Sequence, residues 1–129
     1  MTGNEARTAS FGRVALGLVR LVNGVLGLFV PHRLIGRIDH AEPPSPAAIY
    51  AFRLFGVRTI LLGRDLLVGS DSMRRKAVAE APLIHASDTA TATLLTVTGR
   101  VPVRSGVPLI AISAVNTLLA LLAKRGARG

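Results

Sequence analysis

Between Val107 and Ala123 the chain carries no charged side chain: Val-Pro-Leu-Ile-Ala-Ile-Ser-Ala-Val-Asn-Thr-Leu-Leu-Ala-Leu-Leu-Ala. A helix over this stretch has no charged face to offer water, so it must be covered on all sides by protein or by lipid. A chain of 129 residues supplies one domain. Half of its residues are hydrophobic and 18% are charged, against the ~25% of an average soluble domain. The apolar content is Leu, Val, Ile and Ala, with no Trp. These features exclude an ordinary water-soluble bundle as the leading reading and predict an all-α integral membrane protein.

Three further apolar segments precede this one. Val14 to Val30 ends at Pro31 and is near the lower limit for crossing a ~30 Å hydrocarbon core. A second runs from about Ala47 to Val68, after Glu42-Pro43-Pro44-Ser45-Pro46. The third, about Ala77 to Val97, is the weakest: it holds His85, Asp88 and several threonines, and Pro82 is expected to kink it or mark the start of its inserted part. The expected organisation is a single four-helix transmembrane domain over 1–129, with helices about 13–30, 47–69, 73–98 and 106–124. The first segment resembles a signal peptide in having Arg7 and Arg13 ahead of an apolar stretch. Arg20 and Asn23 interrupt that stretch, however, and Pro31-His32-Arg33 follows it in place of small residues, so a retained helix is expected.

Loop charge sets the expected orientation. With four spans, one side carries Arg7, Arg13, Arg74, Arg75, Lys76, Lys124, Arg125 and Arg128, and the other carries Arg33, Arg37, Arg100 and Arg104. The positive-inside rule then places both termini in the cytoplasm. The dominance of Arg over Lys, with abundant Ala and Gly, points to a GC-rich bacterial genome, hence to a bacterial plasma membrane.

Charges within apolar helices are expensive and face partners. On the first helix, Gly17, Arg20, Gly24 and Gly27 share a side, with Asn23 beside them; the glycines permit close helix approach. Arg53 and Arg64 share a face of the second helix near Gly56 and Gly63, while Arg58 and Asp65 share another. On the third, His85, Asp88, Thr89, Ala92 and Thr96 form a stripe, and Ser113, Asn116, Thr117 and Ala120 do so on the fourth. Arg58 and Asp88 lie near the middle of their helices. The expectation is an Arg58–Asp88 ion pair, with His85 one turn nearer the cytoplasm. Around it a polar chamber would be lined by Arg20, Asn23, Arg53, Arg58, His85, Asp88 and Asn116. His85, Asp88 and Arg58 are the candidates for any chemistry, with His85 as an acid or base tuned by Asp88. The plainer reading makes the pair a clamp that fixes helix register and the asparagines hydrogen-bonding glue between helices.

The sequence has no phosphate-binding glycine loop, nucleophile elbow or HExxH. Without Cys it has no disulfide or thiolate metal site. His32, Asp39, His40 and Glu42 cluster in the first loop, but no metal and no cofactor are expected. The net charge of +9 is spread as punctuation between apolar runs, without aromatic stacking motifs, so nucleic acid is not an expected partner.

The run Arg53-Leu54-Phe55-Gly56-Val57-Arg58, followed by Leu61-Leu62-Gly63, together with the polar third helix around Asp88, resembles uncharacterised four-helix actinobacterial membrane proteins related to the DoxX-like group. The likeness in motif covers the second and third helices. It implies a four-helix plasma-membrane fold and an accessory role beside membrane redox or sulfur-oxidising complexes, and it brings no catalytic residues with it. The absence of Cys speaks against thiol redox work by this chain itself.

Two functions compete, and whether the chain is an enzyme stays open between them. One is an accessory or scaffold subunit that packs against the lipid bilayer, another membrane subunit or itself. The other is a small intramembrane enzyme or binding protein for an apolar molecule with a polar group, working at Arg58, His85 and Asp88. A transporter or channel would require assembly into something larger than four short helices.

Overall fold

The first helix is set by its N-terminus rather than by hydropathy. In the computed structural model, which describes residues 2–39 and 43–127, Thr2 and Glu5 form a reciprocal capping box. The Glu5 amide donates to the Thr2 hydroxyl (3.2 Å) and the Thr2 amide to the Glu5 carboxylate (2.7 Å). Helix α1 therefore runs Gly3–Phe29, starting eleven residues before the apolar stretch. Thr-x-x-Glu is legible in the sequence, and the hydropathy reading passed over it.

Pro31 cannot extend α1, because it has no amide hydrogen to give to the preceding turn. It opens a separate helix, α2 (Pro31–Ile38), which the four-segment reading did not contain. Pro31 and Ile35 are buried, whereas His32, Arg33 and Arg37 face out, so α2 is a short amphipathic piece lying against the bundle. Of the loop cluster considered for metal, His40 and Glu42 lie outside the described residues. Helix α3 (Pro46–Val68) starts on Ser45, whose hydroxyl accepts from the Ala48 amide (3.1 Å), with Pro46 in the first turn. Helix α4 (Asp71–Val97) starts on Ser70 in the same way, and the helix is unbroken across Pro82. It ends at Gly99, whose φ of +73° lies in the left-handed region that favours glycine. Helix α5 spans Val103–Ala127, so Pro108 lies in its second turn.

The four long helices pack side by side. Helix α1 lies between α3 and α5, α4 lies against α5 and touches α3, and α2 leans on α3, α1 and α5. The α1–α3 seam is antiparallel and built on glycine. A Cβ on Gly24 would meet the Gly56 carbonyl oxygen at 2.8 Å, and one on Gly63 would meet the Gly17 carbonyl oxygen at 2.9 Å. Backbone thus touches backbone, as the glycine stripe predicts. Gly12 sits against Leu119 and Ala123, and Gly126 against Ala9, so α5 ends where α1 begins. Gly106 abuts Thr96, which turns α4 back along α5.

The interior is small and the outside is apolar. Leu16, Leu66, Val78, Ala81 and Ala120 form the buried cluster, whereas Phe11, Leu18, Val22, Phe29, Leu54, Phe55, Leu83, Leu94, Ile112 and Leu118 point outward. Apolar surface spread around every long helix suits lipid and is poorly suited to water. Among the described residues, three helices are long and apolar enough to cross a membrane: α1, α3 and α5. Helix α4, the weakest of the expected segments, is not among them.

Candidate functional site

Among the described residues the buried polar side chains are Arg20, Thr59, His85 and Asn116, one from each long helix. The register of the seams brings them within about a turn of one level. Arg20 lies between Gly17 and Gly24, which face Gly63 and Gly56, so Thr59 stands opposite it on α3. His85 is one turn before Thr89, whose hydroxyl is 3.3 Å from that of Thr117, the neighbour of Asn116. Below this polar level lies the aliphatic cluster around Leu16, Leu66, Val78, Ala81 and Ala120.

Arg20 and His85 are joined directly. Arg20 Nε and Nη2 both donate to His85 Nε2, at 3.1 and 2.8 Å. A guanidinium has donors only, so Nε2 is the acceptor and the ring proton sits on Nδ1. That nitrogen is buried and hydrogen-bonded to nothing, although Asp88 Oδ2 lies 3.5 Å away, near enough for electrostatic attraction. The result is a line from a buried cation, through a neutral imidazole, to a carboxylate whose side chain is 53% exposed. Helices α1 and α4 do not form a packed seam, so the long Arg20 side chain spans the bundle interior to reach α4.

The expected Arg58–Asp88 pair does not form. Among the described residues the ion pairs are Arg64–Asp65 (2.9 Å) and His85–Asp88. Arg58 is exposed, and so is Arg53. Matching depth was not enough: Arg58 is two residues beyond buried Gly56, a rotation of about 200°, and therefore faces away from the bundle. Asp65, expected to share a face with Arg58, instead accepts from neighbouring Arg64 (3.2 and 2.9 Å). Asn23 is half-buried at the edge, and Asp88 approaches only through His85. Of the expected chamber, Arg20, His85 and Asn116 are buried, and the Arg20 donors close on His85.

Thr59 was missed. Its signal is its place on the Gly56–Gly63 face, three residues after Gly56, where a polar atom enters the helix interface. The hydroxyls of α4 and α5 are largely satisfied within their own helices. Thr89, Thr93, Thr96, Ser113 and Thr117 each donate to the carbonyl four residues earlier, at 2.7 to 2.8 Å. This lets a threonine-rich helix stand in apolar surroundings without orphaned donors. Compared with protein-family models, with curated proteins and with solved structures, the chain matches none.

Proposed function

We propose that the chain is a multi-pass plasma-membrane protein whose polar interior is structural, and that it serves as an accessory or scaffold subunit in a membrane assembly. The observation that carries this reading is the closure of Arg20 on His85. The one buried guanidinium among the described residues donates to a side chain of the same bundle, as a register clamp does.

The path of the chain supports four spans. Helices α1, α3 and α5 are apolar enough to cross. The end of α3 lies beside the middle of α1, where Gly17 meets Leu67, and the end of α5 lies beside its start, where Ala9 meets Gly126. Helix α4 leaves the first of these ends and delivers the chain to the start of α5 at the opposite end, so it traverses whatever α3 and α5 traverse. The basic residues collected at the α1-start end support a cytoplasmic placement of that end. The DoxX-like resemblance of α3 and α4 agrees with this architecture and with an accessory role.

A double-mutant cycle tests the clamp. His85→Leu leaves the Arg20 cation without its acceptor and is expected to lower stability in detergent by about 3–5 kcal/mol. Arg20→Met leaves only a neutral acceptor unmet, for about 1–3 kcal/mol. The double variant is expected to return to within about 1 kcal/mol of wild type, because no buried charge remains. Single variants as stable as wild type would remove the basis of the structural reading.

A second reading, a small intramembrane enzyme or binding protein, is favoured by one observation. His85 Nδ1 is buried, without a hydrogen bond, and points toward a carboxylate that reaches the outside. That arrangement holds a proton between the interior and the surface.

A further inference from the structure

Where the start of α1, the start of α4 and the end of α5 converge there is an open cleft of ≈ 240 Å³. Its rim is basic: Arg13, Arg74 and Arg75 line it, and no acidic residue does among the described residues. Its floor is small and apolar, made by Ala9, Ala123 and Val78 with Gly126, which packs directly on Ala9. Two of the arginines are only partly engaged. Arg13 Nη1 donates to the Leu66 carbonyl (2.5 Å) and Arg74 Nη2 to the Gly69 carbonyl (3.3 Å), both at the C-terminal end of α3. The Arg74 Nε is buried and donates to nothing. The Arg13 and Arg74 charges act on each other with the same sign. An unmet buried donor on one of two neighbouring like charges is a donor set that suits an anion.

We propose that this cleft binds the phosphate group of an anionic phospholipid, with the guanidinium groups of Arg74 and Arg75 on the phosphate oxygens and the start of an acyl chain along the Ala9–Val78–Ala123 floor. Guanidinium forks match phosphate oxygens in geometry and charge. The proposal rests on the membrane reading above, which puts the cleft at headgroup depth on the basic side of the bilayer. An apolar floor beneath a cationic rim is the arrangement a lipid presents in reverse, whereas a free phosphate would leave that floor empty.

The test uses full-length protein purified in neutral detergent. Retention of phosphatidylglycerol is measured by native mass spectrometry against phosphatidylcholine with the same acyl chains. Each interfacial guanidinium is worth about fivefold in apparent affinity. Wild type is expected to retain phosphatidylglycerol at least tenfold more strongly. Arg75→Gln, an exposed residue whose loss leaves the fold intact, is expected to cut that preference about fivefold, and Arg74→Gln to cut it similarly. Arg33→Gln with Arg37→Gln, on α2 at the other end, is expected to leave it unchanged. Equal retention of the two lipids by wild type would overturn the proposal, as would a full preference in Arg75→Gln. Displacement of the lipid by equimolar inorganic phosphate would overturn it in favour of a free anion. The membrane reading fails by a different result: release of the chain from membranes by a carbonate wash without detergent.

Discussion

A buried cation sets the terms for everything around it. In this chain Arg20 is 5% exposed, and the side chain that meets it is an imidazole rather than a carboxylate. The consequence is a difference in sensitivity along the line Arg20–His85–Asp88. Asp88 is half in the open and stands 3.5 Å from His85. Asp88→Asn keeps the shape and an acceptor oxygen, so its effect on thermal stability in detergent is expected to stay within about 0.5 kcal/mol, as for an exposed position. A loss as large as that of His85→Leu would show that the carboxylate, and not the imidazole, holds the cation. Residue types alone were enough to mark Arg20, His85 and Asn116, since polar groups are rare in such helices. They could not choose the partner. Arg58 and Asp88 match in depth, but pairing also needs direction around the helix axis, and Arg58 is exposed on the outside of the bundle.

At the scale of elements, glycine and capping residues decide where helices begin and how closely they approach. The α1–α3 seam leaves no room at Gly56, where an added Cβ would lie 2.5 Å from the Leu28 amide nitrogen and 2.7 Å from the Gly24 carbonyl oxygen. Both neighbours are backbone and cannot rotate aside. Gly56→Ala is therefore expected to destabilise by about 1–3 kcal/mol through overpacking, read as a lower midpoint of thermal unfolding in detergent. Gly36→Ala, with open space around it on α2, serves as the neutral comparison. At the start of α4, Ser70→Ala removes the hydroxyl that accepts from the Met73 amide (3.3 Å). A loss of about 1 kcal/mol is expected there. The glycine stripe was readable from its spacing. The early start of α1 was written in Thr2 and Glu5, and the separate α2 in Pro31, but hydropathy is blind to both signals.

For the whole molecule, the decisive element is α4. By composition it is the least suited to a bilayer, yet the chain path carries it from one end of the bundle to the other between α3 and α5. Its threonine hydroxyls, bonded back into the helix, reduce the penalty for doing so. The topology can be read directly because the chain has no native Cys. In intact cells a membrane-impermeant maleimide is expected to label Gly36→Cys and Val103→Cys, and to label Asn4→Cys and Ser72→Cys only after permeabilisation. If Ser72→Cys and Val103→Cys labelled alike, α4 would lie along one surface and the four-span reading would be withdrawn.

By itself the sequence determined the helical, lipid-suited character of the chain, the approximate position of each long helix, and the glycine face on which α1 and α3 meet. These depend on hydropathy and spacing along one helix, which are local properties. The tertiary structure alone decided which polar groups meet. It sent Arg20 across the interior to His85, turned Arg53 and Arg58 outward, and brought Arg13 beside Arg74 from distant parts of the chain. Such pairings depend on the rotation and register of separate helices against one another, and those are fixed only when the backbones close on the small residues between them.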